Sequence, residues 1–300
     1  MKKCWTRTDI PDLSNKIAIV TGGNTGLGFQ SALELAKSGC YTIITCRDEH
    51  KASSAIAELK RQCPQAQAEY MLMDLTDIPS IHLFVENVMQ RFQRLDILLN
   101  NAGVVNLKQL QRTRQGYEMH FATNHLGHFA LTGLLLPLIK KTPQARVVTV
   151  SSAGHKYATL NFDDIHWQTR TYDRIKAYAD SKLANLLFSH SLTKEFQQHN
   201  IDAYSLAAHP GLTGTERQQT IGVGGLLAKM VASPVTVGVL PQIRACCDHE
   251  LASGSYLGPR LGILGKPALI KASNAAYSNE LAQQLWRLSS ELTNVKYQFD

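Results

Sequence analysis

The chain reads as an α/β protein built on one doubly wound parallel β-sheet. Three observations predict this. Short apolar runs recur along the chain, each followed by a longer helix-like pattern. A glycine-rich turn, Thr21-Gly22-Gly23-Asn24-Thr25-Gly26-Leu27-Gly28, joins the first run to the first helix. Nothing reads as a linker, a repeat or a low-complexity tract, so the 300 residues are expected to form a single domain.

The elements follow in order. Lys16-Ile17-Ala18-Ile19-Val20 has the unbroken apolar character of a strand buried on both faces. A helix is expected from about Leu27 to Ser38, closed by Gly39. Tyr41 to Cys46 is the second strand, and Ser53 to Gln62 a helix that Pro64 closes. Ala68 to Met73 is the third strand, ending at Asp74-Leu75. Ile78 to Phe92 is helical, Ile97-Leu98-Leu99 the fourth strand, and a long helix covers about Tyr117 to Pro137. Arg146 to Val150 is the fifth strand. A helix from about Ile175 to Gln197 and a strand from Ala203 to Ala208 come next. Loop and helices then lead to a last short strand near Gly254-Ser255-Tyr256.

Composition excludes several classes. Hydrophobic residues make up 44% and charged residues 18%, as in ordinary soluble domains. The net charge of +7 comes from dispersed Lys and Arg with no basic run, so a nucleic-acid partner is not expected. Cys4, Cys40, Cys46, Cys63, Cys246 and Cys247 show neither a Cys-x-x-Cys pair nor a disulfide framework. They read as reduced thiols of a cytoplasmic protein. No apolar signal core follows Lys2 and Lys3, and no apolar run reaches the roughly 18 residues a membrane span needs. Leu131 to Ile139 is too short for one, contains Pro137, and reads as a buried helix end.

The glycine-rich turn has a definite chemistry. Between strand and helix, glycines let the backbone approach a pyrophosphate, which the helix N-terminus stabilises. Gly22, Asn24, Thr25, Gly26, Leu27 and Gly28 are the residues placed for this. At the end of the second strand stands Thr45-Cys46-Arg47, with no acid to bind a ribose 2′-OH. Arg47 suits a 2′-phosphate, which favours NADP(H) over NAD(H), although Asp48 and Glu49 follow at once. Further on, Tyr178 and Lys182 stand four positions apart, a spacing that puts both on one face of a helix. A lysine ammonium there is expected to lower the pKa of the phenol and fit it for proton transfer.

Thr21-Gly22…Gly26-x-Gly28, Asn100-Asn101-Ala102-Gly103, Asn124, Ser152, Tyr178-x-x-x-Lys182 and His209-Pro210-Gly211 stand in the order of the short-chain dehydrogenase/reductase family. The chain resembles that family from about Asp12 to Thr293. Three segments are most similar to its retinol-dehydrogenase-like branch: Thr45-Cys46-Arg47-Asp48, Thr123-Asn124-His125-Leu126-Gly127-His128-Phe129 and Tyr178-Ala179-Asp180-Ser181-Lys182-Leu183-Ala184-Asn185. The resemblance implies a Rossmann fold and a nicotinamide cofactor. It casts Tyr178 as proton donor or base, Lys182 as its helper and ribose ligand, and Ser152 as hydrogen-bond donor to the substrate oxygen. Asn124 would hold a water behind Lys182. Asp74, with Leu75 beside it, would bind adenine, and Asn101, Ala102 and Gly103 would line the adenosine side. Pro210, Gly211 and Thr213 would lie near the nicotinamide.

The interval from Ser152 to Tyr178 is long compared with small bacterial members, as it is in the retinol-dehydrogenase-like branch. Its Phe162, Ile165 and Trp167 either wall the substrate site or staple the loop to the core. Residues of about 212–250 correspond to the substrate-loop region. There Ile221 to Val231 could serve as a lid, touch a membrane surface, or pack in the core. His125 and His128 lack a third ligand and read as structural, so no metal is expected. His209 reads as structural or as a substrate contact. The expected partner is a hydrophobic small molecule such as retinal, an aldehyde or a ketone. Peripheral membrane contact and a homo-oligomer are both compatible with the branch. Two rival readings share these residues: a C=C reductase of the protochlorophyllide-reductase type, and a non-catalytic NADP(H)-sensing protein.

Overall fold

The computed structural model describes residues 5–212 and 233–300. Thr213 and the Ile221 to Val231 stretch lie outside the described residues. The sheet has eight strands: β1 (Ile17–Thr21), β2 (Tyr41–Cys46), β3 (Ala68–Leu72), β4 (Ile97–Asn100), β5 (Ala145–Val150), β6 (Ala203–Ala208), β7 (Tyr256–Pro259) and β8 (Pro267–Leu269). Their order is β3-β2-β1-β4-β5-β6-β7-β8. All neighbours pair parallel except β7 and β8. The strand order reverses between β1 and β4, and a crevice opens at the carboxyl ends of the strands on either side of that point.

The strands sort their side chains by the period of two. Ala18, Val20, Leu99, Val148 and Val150 face one layer, which holds α1 (Gly26–Lys37), α2 (Glu49–Gln62) and, later in the chain, Leu240–Cys247. Ile19, Leu98 and Val147 face the other, which holds α3 (Ile78–Arg91), Gly127–Lys141 and Arg174–Gln198. Both faces are therefore covered, which is why these strands read as unbroken apolar runs.

The long central helix is not uniform. It begins as α4 (Met119–Phe121), passes through a π-helical turn at Ala122–Leu126, and continues as α5 (Gly127–Lys141). Pro137 was expected near its end, but the helix carries the proline inside and runs on to Lys141. One backbone bond is lost there, and the burial of Leu135, Leu136, Leu138 and Ile139 holds the segment helical regardless.

After β5 come a loop and α6 (Arg174–Gln198), then β6. The short α7 (Val235–Gly238), α8 (Leu240–Cys247), β7, β8 and α9 (Asn279–Thr293) complete the chain. β8 was not expected: it is three residues long, begins with Pro267 and buries one side chain, too little to show a period. In the long loop before α6, Ile165 is buried in the third core cluster and Phe162 half-buried against it, so these two staple the loop, whereas Trp167 is buried against Arg170 and Tyr172 of the same loop. Asp180 on α6 ties it down, its Oδ1 accepting from the backbone N–H of Thr159 (2.7 Å) and of Leu160 (2.9 Å). No helix among the described residues is long and apolar enough to cross a membrane.

Candidate active site

The crevice at the strand ends is a cleft of about 790 Å³. At its floor, β1 turns into α1. Gly22 and Gly26 take positive φ values of 63° and 57°, and a Cβ on Gly28 would lie 2.2 Å from the Gly22 carbonyl oxygen. Only glycine permits that turn. Thr25, the N-cap of α1, makes no side-chain cap hydrogen bond, whereas Asp48, Asp173 and Ser278 cap α2, α6 and α9 with theirs. The first N–H groups of α1 are thus left to an anion, and the pyrophosphate of a dinucleotide fits the donor set.

A hydrogen-bond network holds this turn against β4. Thr21 Oγ1 accepts from the N–H groups of Asn101 and Ala102, both at 2.9 Å, and lies 2.8 Å from His128 Nε2. His128 Nδ1 in turn meets the carbonyl of Asn124 at 2.9 Å. That bond links the cradle to the π-helical turn. Asn101 donates from Nδ2 to the Thr21 carbonyl and accepts from Gln242 Nε2 (3.2 Å), so its amide braces the cradle as well as lining the cleft. Ala102 and Gly103 line the cleft too. A Cβ on Gly103 would press on Asn124 Oδ1 at 3.0 Å and stand 3.6 Å from Lys182 Nζ.

At the far end, Arg47 lines the cleft just past β2, and Asp74 and Leu75 line it past β3. Asp48 is committed locally: its Oδ1 accepts from Lys51 N at 3.0 Å as the α2 N-cap. Lys51 itself lines the cleft beside Arg47, 3.6 Å from Asp48 Oδ2. The sequence reasoning missed Lys51, whose available signal was its place in the first turn of the helix after Arg47. Asp74 Oδ1 accepts from both Thr76 N and Thr76 Oγ1 at 2.8 Å, which fixes the carboxylate at the edge of the cleft.

At the near end, α6 brings Tyr178 and Lys182 to the β5 terminus. Both line the cleft, and Lys182 Nζ lies 5.8 Å from the Tyr178 ring centre. Lys182 Nζ donates to the Val150 carbonyl (3.0 Å), as does Asn185 Nδ2 (3.0 Å). Burial pushes the ammonium down to about 8. The expectation that Lys182 lowers the phenol is not met here. Burial pushes Tyr178 above its ordinary value, and the hydrogen bond to Ser152 is what pulls it back. The ammonium itself is desolvated and committed to a strand-end carbonyl.

Ser152 follows β5, stands beside the phenol, and accepts from Gly154 N at 3.1 Å. Ser151, not Ser152, is the serine that lines the cleft, yet its Oγ is committed to α6, donating to the Lys182 carbonyl at 2.8 Å. Asn124 uses both amide protons and its Oδ1 within the fold. Its Oδ1 accepts from Val104 N (2.7 Å), and its Nδ2 donates to the Val104 carbonyl (3.1 Å) and to Ser181 Oγ (2.9 Å). It therefore braces the loop after β4 against α6. Pro210 lines the cleft, but Gly211 does not. Gly211 packs on the β7–β8 hairpin, where a Cβ would meet the Ile263 carbonyl oxygen at 2.4 Å. Phe162, Ile165 and Trp167 do not wall this cleft; Val104, Val105, Leu107 and Met119 do.

His209 accepts from Gly211 N at 3.1 Å and is pushed down to about 4 by burial, which suits a neutral structural ring. His125 Nε2 meets Ser289 Oγ at 2.8 Å. Among the described residues no group of three or more His, Cys, Asp or Glu side chains could hold a metal ion.

Residues 16–223 match the short chain dehydrogenase family model. Human retinol dehydrogenase 12 is 36% identical over 296 residues, covering 98% of this chain and 90% of that protein. Human polyprenol dehydrogenase is 34% identical over 95% of this chain and 87% of its own length. A solved structure of a Mycobacterium paratuberculosis protein superposes with a TM-score of 0.82 at 34% identity, covering 99% of this chain and 100% of that one. The Pseudomonas aeruginosa RhlG/NADP active-site complex shares the fold, with a TM-score of 0.67 at 21% identity over 82% of this chain and 95% of its own. The chain belongs to the short-chain dehydrogenase/reductase family.

Proposed function

We propose that this oxidoreductase is NADP(H)-dependent and interconverts a carbonyl and an alcohol on a hydrophobic small molecule. The observation that carries the reading is one cleft with two cations, Arg47 and Lys51, at one end and Tyr178 and Lys182 at the other. A 2′-phosphate would be met by the two cations, while Asp48, which lines the same end of the cleft, spends Oδ1 as the α2 cap and turns Oδ2 to Lys51 at 3.6 Å.

The bound nicotinamide supplies or accepts the hydride. The chain supplies the rest. Ser152 orients the substrate oxygen and donates to it as negative charge develops. Tyr178 gives its proton to that oxygen in reduction and takes it back in oxidation. Desolvation that holds the phenol protonated suits the donor role. Lys182, fixed by the Val150 carbonyl, donates to the ribose hydroxyls of the cofactor. Asp74 accepts from adenine. Val104, Val105, Leu107 and Met119 give the substrate side an apolar wall. Relatives named for retinol and for polyprenol support an alcohol at the end of an apolar isoprenoid chain.

The test is direct. Purified protein is titrated with NADPH and NADH, then assayed with retinal, medium-chain aldehydes and ketones. NADPH is expected to bind at least about tenfold more tightly than NADH, and its absorbance to fall with an apolar aldehyde. Equal affinity for the two cofactors overturns the NADP(H) assignment. Absence of both binding and turnover across the panel overturns the whole reading.

A further inference from the structure

Behind the Tyr178 ring lies a buried acid–base pair that the reaction above does not use. Glu118 and His120 flank Met119 at the start of α4, and both are buried. His120 Nδ1 faces Glu118 Oε1 at 2.8 Å, and Glu118 Oε2 accepts from Phe121 N at 2.7 Å. The Tyr172 hydroxyl reaches Glu118 Oε1 at 3.4 Å and His120 Nδ1 at 3.2 Å. The N–H of Glu118 donates to His166 Nδ1 at 3.3 Å. The His120 ring meets the Tyr178 ring at a centroid distance of 6.0 Å and an interplanar angle of 70°.

A helix cap needs only Glu118, so the cap does not account for His120. Nor does packing. No described residue hydrogen-bonds to the buried His120 Nε2, and a phenylalanine would fill the space without that cost. What histidine adds is a ring whose rotation is fixed by a carboxylate. His125 also leaves one nitrogen unbonded, but its ring neighbours are Phe121, Phe129 and Phe188 rather than the acid–base tyrosine.

We propose that Glu118 and His120 are positioning residues for Tyr178: the carboxylate fixes the imidazole, and the imidazole, set edge-on, fixes the plane of the phenol. The inference rests on Tyr178 acting as the proton donor. Misplacing a reacting group slightly costs rate far more than binding. His120→Phe and Glu118→Gln are therefore expected to lower kcat about tenfold or more. KM and the NADPH Kd should stay close to wild type in both variants; the melting temperature should hold in Glu118→Gln and fall in His120→Phe, which leaves Glu118 Oε1 with only the Tyr172 hydroxyl.

A second readout does not depend on turnover. The titratable groups facing the phenol are Lys182 on its own helix, His120 from α4 and Tyr256 from β7. His120→Ala admits water beside the phenol, so the ultraviolet phenolate titration of Tyr178, taken as the difference from a Tyr178→Phe background, should move to lower pH. If kcat and this titration both stay at wild-type values, the positioning role is wrong. A fall in kcat that tracks equal losses of cofactor affinity and melting temperature also overturns it, in favour of plain packing. If wild type shows no turnover, the substrate reading fails, and a phenolate titration left unchanged by His120→Ala still overturns the positioning role on its own.

Discussion

At the scale of single residues, the proposed cofactor choice and proton delivery rest on charge at the two ends of the cleft. Arg47→Ala and Lys51→Ala are each expected to raise the NADPH Kd by about tenfold, roughly one charge-assisted hydrogen bond, while NADH affinity changes little. Isothermal titration checks this, and equal losses for both cofactors would remove the 2′-phosphate assignment. Lys182 gives a pH dependence of definite sign. Its free-enzyme value sits near 8 because it is buried. The protonated form donates to the cofactor, so binding raises its pKa. NADPH affinity should then be full below pH 8 and weaken as pH rises above it. Lys182→Met should flatten that limb. Tyr178, Lys182 and the glycines were marked out by residue type and spacing, and Ser152 only by resemblance to the family. Less legible was what each polar atom is already doing. Asn124 spends its amide on Val104 and Ser181, Asp48 is spent as a cap, and Lys182 is drawn to Val150. The Asp48 cap is local, three residues from its partner, but the partners of Asn124 and Lys182 lie 20 or more residues away, and no local pattern encodes them.

At the scale of elements, the site depends on how α6 and the central helix are held. The π-helical turn at Ala122–Leu126 carries Asn124, and π-turns inside α-helices commonly occur at functional sites. Nothing in the apolar period of that helix marks it. Asp180, within the Tyr178-to-Lys182 segment, holds the loop that leads into α6. Asp180→Ala strips two backbone N–H groups of their acceptor and should destabilise the fold by about 2 kcal/mol. Asp180→Asn keeps an acceptor oxygen and should cost clearly less. Urea unfolding distinguishes them, and equal effects would mean that the charge, not the two hydrogen bonds, anchors the loop. The same loop shows where reading by pattern stops. Phe162 and Ile165 are apolar whether they wall a site or fill a core, and only tertiary packing makes them staples.

At the scale of the whole molecule, one sheet covered on both faces brings six strand ends to a single cleft. The parallel order was legible from the alternation of apolar runs and helices. The closing β8 was not, because three residues carry no period. The C-terminal segment completes the layer over α5 and α6. Tyr297 donates to the Phe129 carbonyl at 2.7 Å and packs with Trp286, Phe129 and Phe299. A Cβ on Gly133 would stand 2.6 Å from its ring. Tyr297→Ala should therefore cost about 3 kcal/mol of stability while leaving the NADPH Kd unchanged. Denaturant unfolding with a parallel binding titration would show whether that layer is as separate from the site as the fold implies.

We propose above all that this fold delivers a proton from Tyr178 to a carbonyl oxygen beside a bound NADPH. Single-turnover NADPH oxidation with an apolar aldehyde, measured for wild type and Tyr178→Phe alongside cofactor binding, tests it most directly. The variant is expected to bind NADPH with wild-type affinity and to lose at least about a hundredfold in rate. A Tyr178→Phe enzyme that oxidises NADPH at the wild-type rate would contradict it.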